Sequence, residues 1–203
     1  EETLRALDDL VSEGKIRYIG CSNYMARELI EGVQISKKYG WSEFMTIQPE
    51  FSMFEREPES ELIYACEKYN IGILPYFPLA SGFLTGKYKR DSIPEGGRLS
   101  SGNHSAWSEK WLTQENFTII ENLEKWASSK GITMVQLAFS WLLAKSAVSS
   151  VIAGATSKEQ IDSNITGSGI EITDTELEEL NSILPPRNEV GIGNVPRRIQ
   201  NTS

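Results

Sequence analysis

The sequence predicts an α/β fold built on a parallel sheet. Three observations carry that expectation: short β-rich apolar runs begin near residues 16, 44 and 71, one stretch of helical periodicity lies between each pair, and the units repeat at nearly constant length. Regular βα units of this kind imply parallel strands joined by right-handed crossovers.

In order along the chain, Leu4, Leu7, Leu10 and Val11 recur at helical spacing up to about Glu13, and Gly14 stands where a left-handed C-terminal cap is wanted. Ile16 to Cys21 is the first strand, closed by Ser22 and Asn23. Leu29, Ile30, Val33 and Ile35 mark a helix ending near Tyr39 and Gly40. Phe44 to Ile47 is the second strand, stopped by Gln48 and Pro49, because the residue before a proline is pushed out of regular helix. Leu62 to Tyr69 is the next helix and Ile71 to Leu74 the third strand, ended by Pro75, which has no N–H to give to a ladder. From Lys89 to Lys110 periodicity dissolves, and a long mobile loop or lid is expected there. Helices follow at about Thr113 to Ser129, capped by Gly131, and at Thr133 to Ala147, the latter apolar almost all round and so expected to be buried. Ser149 to Ala153 reads as a fourth strand, leading through Gly154 to Ser157 into a helix carrying Ile161 and Ile165. Thr173 and Glu176 form a capping box for a last helix reaching Leu184. The division expected is a unit over 1–184 with a long loop at about 89–110, then a polar tail over 185–203 that docks loosely or frays.

The composition, 39% hydrophobic and 24% charged over 203 residues, is that of one globular domain without staples. A net charge of -8 argues against non-specific attraction to nucleic acid or anionic membrane, so any phosphate must be held by a local site. Cys21 and Cys66 lie in apolar stretches without metal-ligand spacing and read as reduced core thiols, which points to a cytoplasmic compartment. No run approaches the ~18 apolar residues of a membrane span. The start, Glu1 Glu2 Thr3, falls inside a helical pattern and looks like a cut end.

Chemistry concentrates in Ile71 to Tyr88, IGILPYFPLASGFLTGKY. A buried strand opens into a loop of small residues with an aromatic ring, Tyr76, at its mouth and a cation, Lys87, at its far end. That arrangement suits a ligand with an aromatic end and a phosphate end. In parallel βα folds the loops after the strands gather at one face and build the site. The other three strand ends offer Ser22 and Asn23, Gln48, and Gly154 to Asn164. Asn and Gln side chains match a primary amide as donor and acceptor, and the helix N-terminus at Gly154, Ala155, Thr156 and Ser157 attracts phosphate. The one histidine, His104, falls in the long loop as a surface residue, and no Ser-His-Asp set or metal cluster can be assembled around it.

Four pieces, GKIRYIGCSN, TIQPEFSMFER, LPYFPLASGFLTGKY and VIAGATSKEQIDSNI, in this order and at these spacings, resemble the aldo-keto reductase family from the first helix to about Leu184. The resemblance implies a TIM-barrel-type fold, an eight-stranded βα barrel that reduces aldehydes and ketones with NADPH and without metal. It implies that Ser22, Asn23 and Gln48 hold the nicotinamide carboxamide and that Tyr76 stacks on the nicotinamide ring. Phe77, Pro78, Leu79, Ser81, Gly82 and Leu84 would pass along the pyrophosphate with Lys87 nearby, and Gly154, Ala155, Thr156, Ser157, Gln160 and Asn164 would hold the adenosine end. The chain departs from the pattern at Phe77, where serine is usual, and at Thr156, Ser157 and Gln160, where many members carry arginine or lysine. The family's catalytic Asp, Tyr, Lys and His belong to the first four βα units, so the resemblance implies a half barrel: the C-terminal four of eight units, holding NADP(H) but inactive alone. A missing N-terminal half or partner subunit would complete it for a small carbonyl substrate. The alternative is a non-catalytic NADP(H)-binding module or cofactor-sensing subunit.

Overall fold

The computed structural model describes residues 1–100 and 105–184. His104 and the polar tail over 185–203, both assigned roles above, lie outside the described residues.

The first half alternates helix and strand. Helix α1 (Glu2–Ser12), strand β1 (Ile19–Ser22), α2 (Ala26–Tyr39), β2 (Phe44–Gln48), α3 (Leu62–Tyr69) and β3 (Gly72–Ile73) follow in order. The strands form a parallel sheet in the order β1-β2-β3, with Ser22 opposite Gln48 and Thr46 opposite Gly72. Helix ends are where local chemistry puts them: Gly14, Gly40 and Asn70 all take left-handed φ just past α1, α2 and α3. Gly20 is glycine because β2 passes too near for anything larger. A Cβ there would lie 2.4 Å from Thr46 Oγ1, beside a register shift between Ile19 and Gly20.

Two strands are shorter than expected. The first begins only at Ile19, and the third keeps two residues. The expected fourth strand over 149–153 does not form. One bridge joins Ile73 to Val148, and Ser149 and Ile152 each donate one backbone bond, to Ile73 O and Pro75 O, both at 3.0 Å. Pro75 supplies no N–H in return, and Ser149, Ser150, Ile152 and Ala153 stay exposed, so nothing on their far side completes a ladder. The segment is an irregular edge that still runs beside β3.

The second half is helical. Helices α4 (Ser105–Trp111), α5 (Gln114–Ser129), α6 (Met134–Leu143), α7 (Lys158–Thr166) and α8 (Asp174–Ile183) complete the described chain. Thr113, Thr133 and Thr173 cap α5, α6 and α8 through their side chains, Thr173 in the expected box with Glu176. Helix α6 is buried through Leu137, Ala138, Trp141 and Leu142 but stops at Leu143, because residues 144–147 turn the chain back to the edge of β3. Its Trp141 receives Arg56, a guanidinium only 3% exposed, 5.0 Å from the ring centroid. Arg56 also donates to Glu59 Oε2 at 2.6 Å, Leu184 O at 2.6 Å and Asn181 Oδ1 at 2.8 Å, which ties the segment after β2 to the end of α8.

Within the long loop expected over 89–110, the described residues 89–100 carry fixed anchors and 105–111 form α4. Tyr88 and Leu99 are fully buried, and the Leu99 N–H donates to the Tyr88 hydroxyl at 3.1 Å. Arg90 reaches Glu121 and Thr118 on α5, Lys89 pairs with Glu124, and Lys110 pairs with Glu55. These are single anchors at irregular intervals, which is why no period shows in the sequence.

Candidate functional site

The ends of β1, β2 and β3 are laced together. Ser22 Oγ donates to Gln48 O at 2.8 Å, Asn23 N donates to the same carbonyl at 3.2 Å, and the Tyr76 hydroxyl donates to Asn23 Oδ1 at 2.9 Å. Asn23 takes a left-handed backbone, φ 59°, a conformation that asparagine tolerates better than most residues. Backbone bonds from Tyr76 N to Pro49 O (3.0 Å) and from Phe51 N to Tyr76 O (3.3 Å) seat Tyr76 against the segment after β2. Its phenol is pushed above the ordinary tyrosine value by burial and by the Glu50 carboxylate, against the opposing hydrogen bond to Asn23. Burial likewise raises Glu50, with Lys110 opposing. This tyrosine is a seated neutral ring, not a group poised to give up its proton.

The loop beyond Tyr76 is wound tightly. Phe77, Ala80 and Ser81 have φ of 54°, 46° and 60°, and Gly82 and Gly86 have 94° and 79°. Non-glycine residues in this region cost of order 1 kcal/mol each and persist where surrounding structure enforces them. The enforcement is visible below the loop, where Phe83 meets Phe54 (5.4 Å between centroids) and Phe117 (5.6 Å), and Phe54 meets Trp111 (5.8 Å). Short bonds close the turns above, Ala80 N to Phe77 O at 2.9 Å and Gly82 N to Leu79 O at 2.8 Å. Gly82 is needed for its left-handed backbone rather than for space, since a Cβ there would make only ordinary contacts, 3.7 Å from Lys87 Nζ.

A cleft of about 810 Å³ opens between this loop and the first turns of α7, within the size range of small-molecule and cofactor sites. Of the residues expected from the sequence, Tyr76, Phe77, Pro78, Leu79, Ser81, Gly82 and Lys87 form one wall and Gly154, Ala155, Thr156, Gln160 and Asn164 the other. Ser22, Asn23 and Gln48 sit beside Tyr76 at the strand ends rather than in the cleft wall. Two expectations shift. Leu84 is fully buried beneath the loop, its side chain part of the core, and the exposed Ser157 caps α7 by accepting from Gln160 N at 3.3 Å rather than lining the cleft.

Sequence reasoning missed Thr85, Arg98, Val135, Ile152, Ala153, Glu159 and Ser163, which also line the cleft. Glu159 and Ser163 share a helix face with the expected Gln160 and Asn164, and i, i+4 spacing could have found them. Arg98 gave no signal, because it arrives from the aperiodic loop. Its guanidinium lies 5.8 Å from the Phe77 ring centroid. Neither Arg98 nor Lys87 has an ion-pair partner among the described residues.

A second groove of about 450 Å³ lies on the other side of α7, lined by Phe139, Leu143, Val151, Ile161 and Ile165 among others. Ile161 and Ile165 are 49% and 63% exposed, so the apolar face expected of this helix is only partly covered. Among the described residues no cluster of three His, Cys, Asp or Glu could hold a metal, and no helix is long and apolar enough to cross a membrane.

Comparison with known proteins agrees with this picture. The model of the Aldo/keto reductase family matches residues 1–185. The chain is 35% identical to the NADH-specific methylglyoxal reductase of Escherichia coli (strain K12) over 179 residues, covering 86% of this chain and 51% of that protein. It is 31% identical to a probable voltage-gated potassium channel subunit beta of Oryza sativa subsp. japonica, covering 81% of this chain and 51% of that protein. It is also 31% identical to a putative aryl-alcohol dehydrogenase of Saccharomyces cerevisiae, covering 93% and 54%. The chain thus spans about half the length of the curated relatives it matches. That family carries a TIM-barrel-type α/β fold, which fits the parallel sheet, and this chain belongs to the aldo/keto reductase family.

Proposed function

We propose that this chain forms the cofactor-holding C-terminal half of a (β/α)8 oxidoreductase, residues 1–184 making up the last four βα units. In this reading the cleft takes a nicotinamide dinucleotide, and the intact protein reduces a small aldehyde or ketone. The observation that carries it is the meeting of three kinds of group around one cleft: a seated aromatic ring with amides beside it, two cations (Lys87 at the end of the strained loop and Arg98 from the segment beyond it) without an ion-pair partner among the described residues, and the first turns of a helix. The residues fit such a ligand. The Tyr76 face offers a stacking surface, Asn23 and Gln48 lie where a carboxamide would be recognised, and Lys87 and Arg98 supply charge for a pyrophosphate.

The dinucleotide supplies the hydride when bound; the chain's part is position and electrostatics. Asn23 uses its oxygen to hold Tyr76 and keeps its N–H groups to donate. The loop on its aromatic base fixes where the pyrophosphate sits. The Tyr76 hydroxyl is engaged with Asn23 Oδ1 and, raised by burial, is a weakened acid; in this reading proton delivery to the carbonyl falls to groups outside this chain, in an N-terminal half or partner subunit. NADP(H) is the cofactor that the family resemblance implies, whereas the E. coli relative is named NADH-specific.

The test is titration of the purified chain with NADH and NADPH, read by tryptophan-to-dinucleotide energy transfer, followed by an assay with methylglyoxal. Saturable binding without cofactor consumption is expected. No saturation would refute the cleft as a dinucleotide site, and turnover would refute the division of labour. The relatives named as potassium channel subunits support a second reading, a dinucleotide-binding subunit that docks on another protein. It predicts binding with no turnover even after a complementary N-terminal half is supplied.

A further inference from the structure

We propose that Phe77 is a positioning residue: its ring holds the Arg98 guanidinium against the cleft, where the cation meets the ligand's pyrophosphate. This builds on the dinucleotide cleft proposed above, with the pyrophosphate between Tyr76 and the first turns of α7.

Phe77 stands where serine is usual in the family, so a side chain with a donor has given way to a ring that offers a phosphate none. The ring is itself held in place. Phe77 has φ 54°, a backbone that a bulky residue keeps only where its surroundings impose it. Its carbonyl accepts from Ala80 N at 2.9 Å, and its ring meets that of Tyr76 at 75° with centroids 5.2 Å apart.

Arg98 reaches this ring on a pinned stretch of backbone. On one side, buried Leu99 donates its N–H to the Tyr88 hydroxyl at 3.1 Å and accepts at its carbonyl from Ser108 Oγ at 2.8 Å. On the other, Gly97 passes so near that a Cβ there would lie 2.8 Å from the Tyr88 hydroxyl oxygen. Only the Arg98 side chain is left to be placed. It is exposed, it lines the same cleft as Phe77 and Lys87, and its guanidinium lies 5.8 Å from the Phe77 centroid, within reach of the ring's negative face. Attraction to a ring leaves most of the guanidinium's N–H donors for an anion, and a side chain already confined loses less rotamer freedom on binding. The donor missing at position 77 is thereby supplied from Arg98.

A double-mutant cycle between Phe77→Leu and Arg98→Gln, read as NADH dissociation constants by calorimetry, tests this. Leucine keeps an apolar bulk and the same backbone demand but has no π-face. Arg98→Gln should weaken NADH about tenfold and Phe77→Leu about threefold. In the Arg98→Gln background Phe77→Leu should have no further effect, while Phe77→Tyr in the parent, which restores the face, should recover the affinity. Without nucleotide, the Arg98 side-chain protons of the unchanged chain should show upfield ring-current shifts that Phe77→Leu abolishes. An undiminished loss from Phe77→Leu in the Arg98→Gln background means that the ring touches the ligand directly, and overturns the positioning role. So does indifference of NADH binding to either single change, and so do unshifted Arg98 protons, a reading that holds even if Phe77→Leu fails to fold. All three leave the dinucleotide cleft standing. Failure of NADH to bind the unchanged chain overturns both.

Discussion

The Tyr76 hydroxyl donates to Asn23 Oδ1 at 2.9 Å and so joins the end of β3 to the end of β1 across the intervening strand. That bond sets the plane of the ring and turns the amide N–H groups of Asn23 away from Tyr76. Asn23→Ala should therefore loosen the ring and remove a donor together, weakening dinucleotide binding by about 1 kcal/mol, or roughly fivefold. Tyr76→Ala should cost as much or more through the lost aromatic face, and Tyr76→Phe less than about threefold. Dissociation constants from the fluorescence titration separate the three. Equal losses for Tyr76→Phe and Tyr76→Ala would mean that the hydroxyl, not the face, matters.

Arg56 is a buried charge whose partners come from three places in the chain. Removing it as Arg56→Met leaves Glu59 with Lys145 alone, at 2.8 Å, and orphans the Leu184 carbonyl. Breaking one side of a buried pair costs about 3–5 kcal/mol, and that loss should appear in urea unfolding. The double variant Arg56→Met with Glu59→Met should recover part of it. No recovery would place the cost in the bonds to α8 instead.

Glu176 is held well below the ordinary carboxylate range, at about 2, by the Lys130 ammonium first and then by the Thr173 backbone N–H and hydroxyl. A carboxyl depressed in the fold contributes stability above its unfolded pKa and loses it as pH falls through the folded one. The melting temperature should accordingly fall as pH drops from about 4.3 towards 2. Glu176→Gln should flatten that part of the curve and leave its shape above pH 6 unchanged. An equal acid slope in the variant would assign the loss to other carboxylates.

Both thiols, Cys21 and Cys66, are pushed up to about 12 by burial, Cys21 also by Cys66 and Cys66 also by Glu67. Since the thiolate is the reactive form, iodoacetamide at pH 8 should leave both unmodified in the folded chain and label both in urea. Rapid labelling of the native protein would contradict the burial that raises both thiols.

Features that depend on neighbours in sequence are legible from residue type alone. Thr173 with Glu176, Gly14 past α1 and Gly131 past α5 each work within a turn of helix, so residue type alone names them. The strand-end residues were legible for a related reason: parallel βα units send every such loop to one face, which put Asn23, Gln48 and Tyr76 together. What escaped depends on distant partners. Arg56 reads as a surface charge until α8 and Trp141 close over it. Residues 149–153 carry a strand's composition, but whether they pair depends on what stands beside them, and Pro75 withholds a donor. Arg98 entered the cleft because Tyr88 pins Leu99 next to it, a contact that leaves no period.

The central claim is that separate strand-end segments form one dinucleotide cleft, and backbone amide chemical shifts of the chain titrated with NADH test it most directly. Saturable perturbations should appear together at Asn23, Gln48, Tyr76, Ser81, Gly82, Thr156 and Asn164, and amides of α1 and of the outer face of α5 should stay unmoved. Saturation with shifts confined to another face, or no shifts at millimolar NADH, would contradict it.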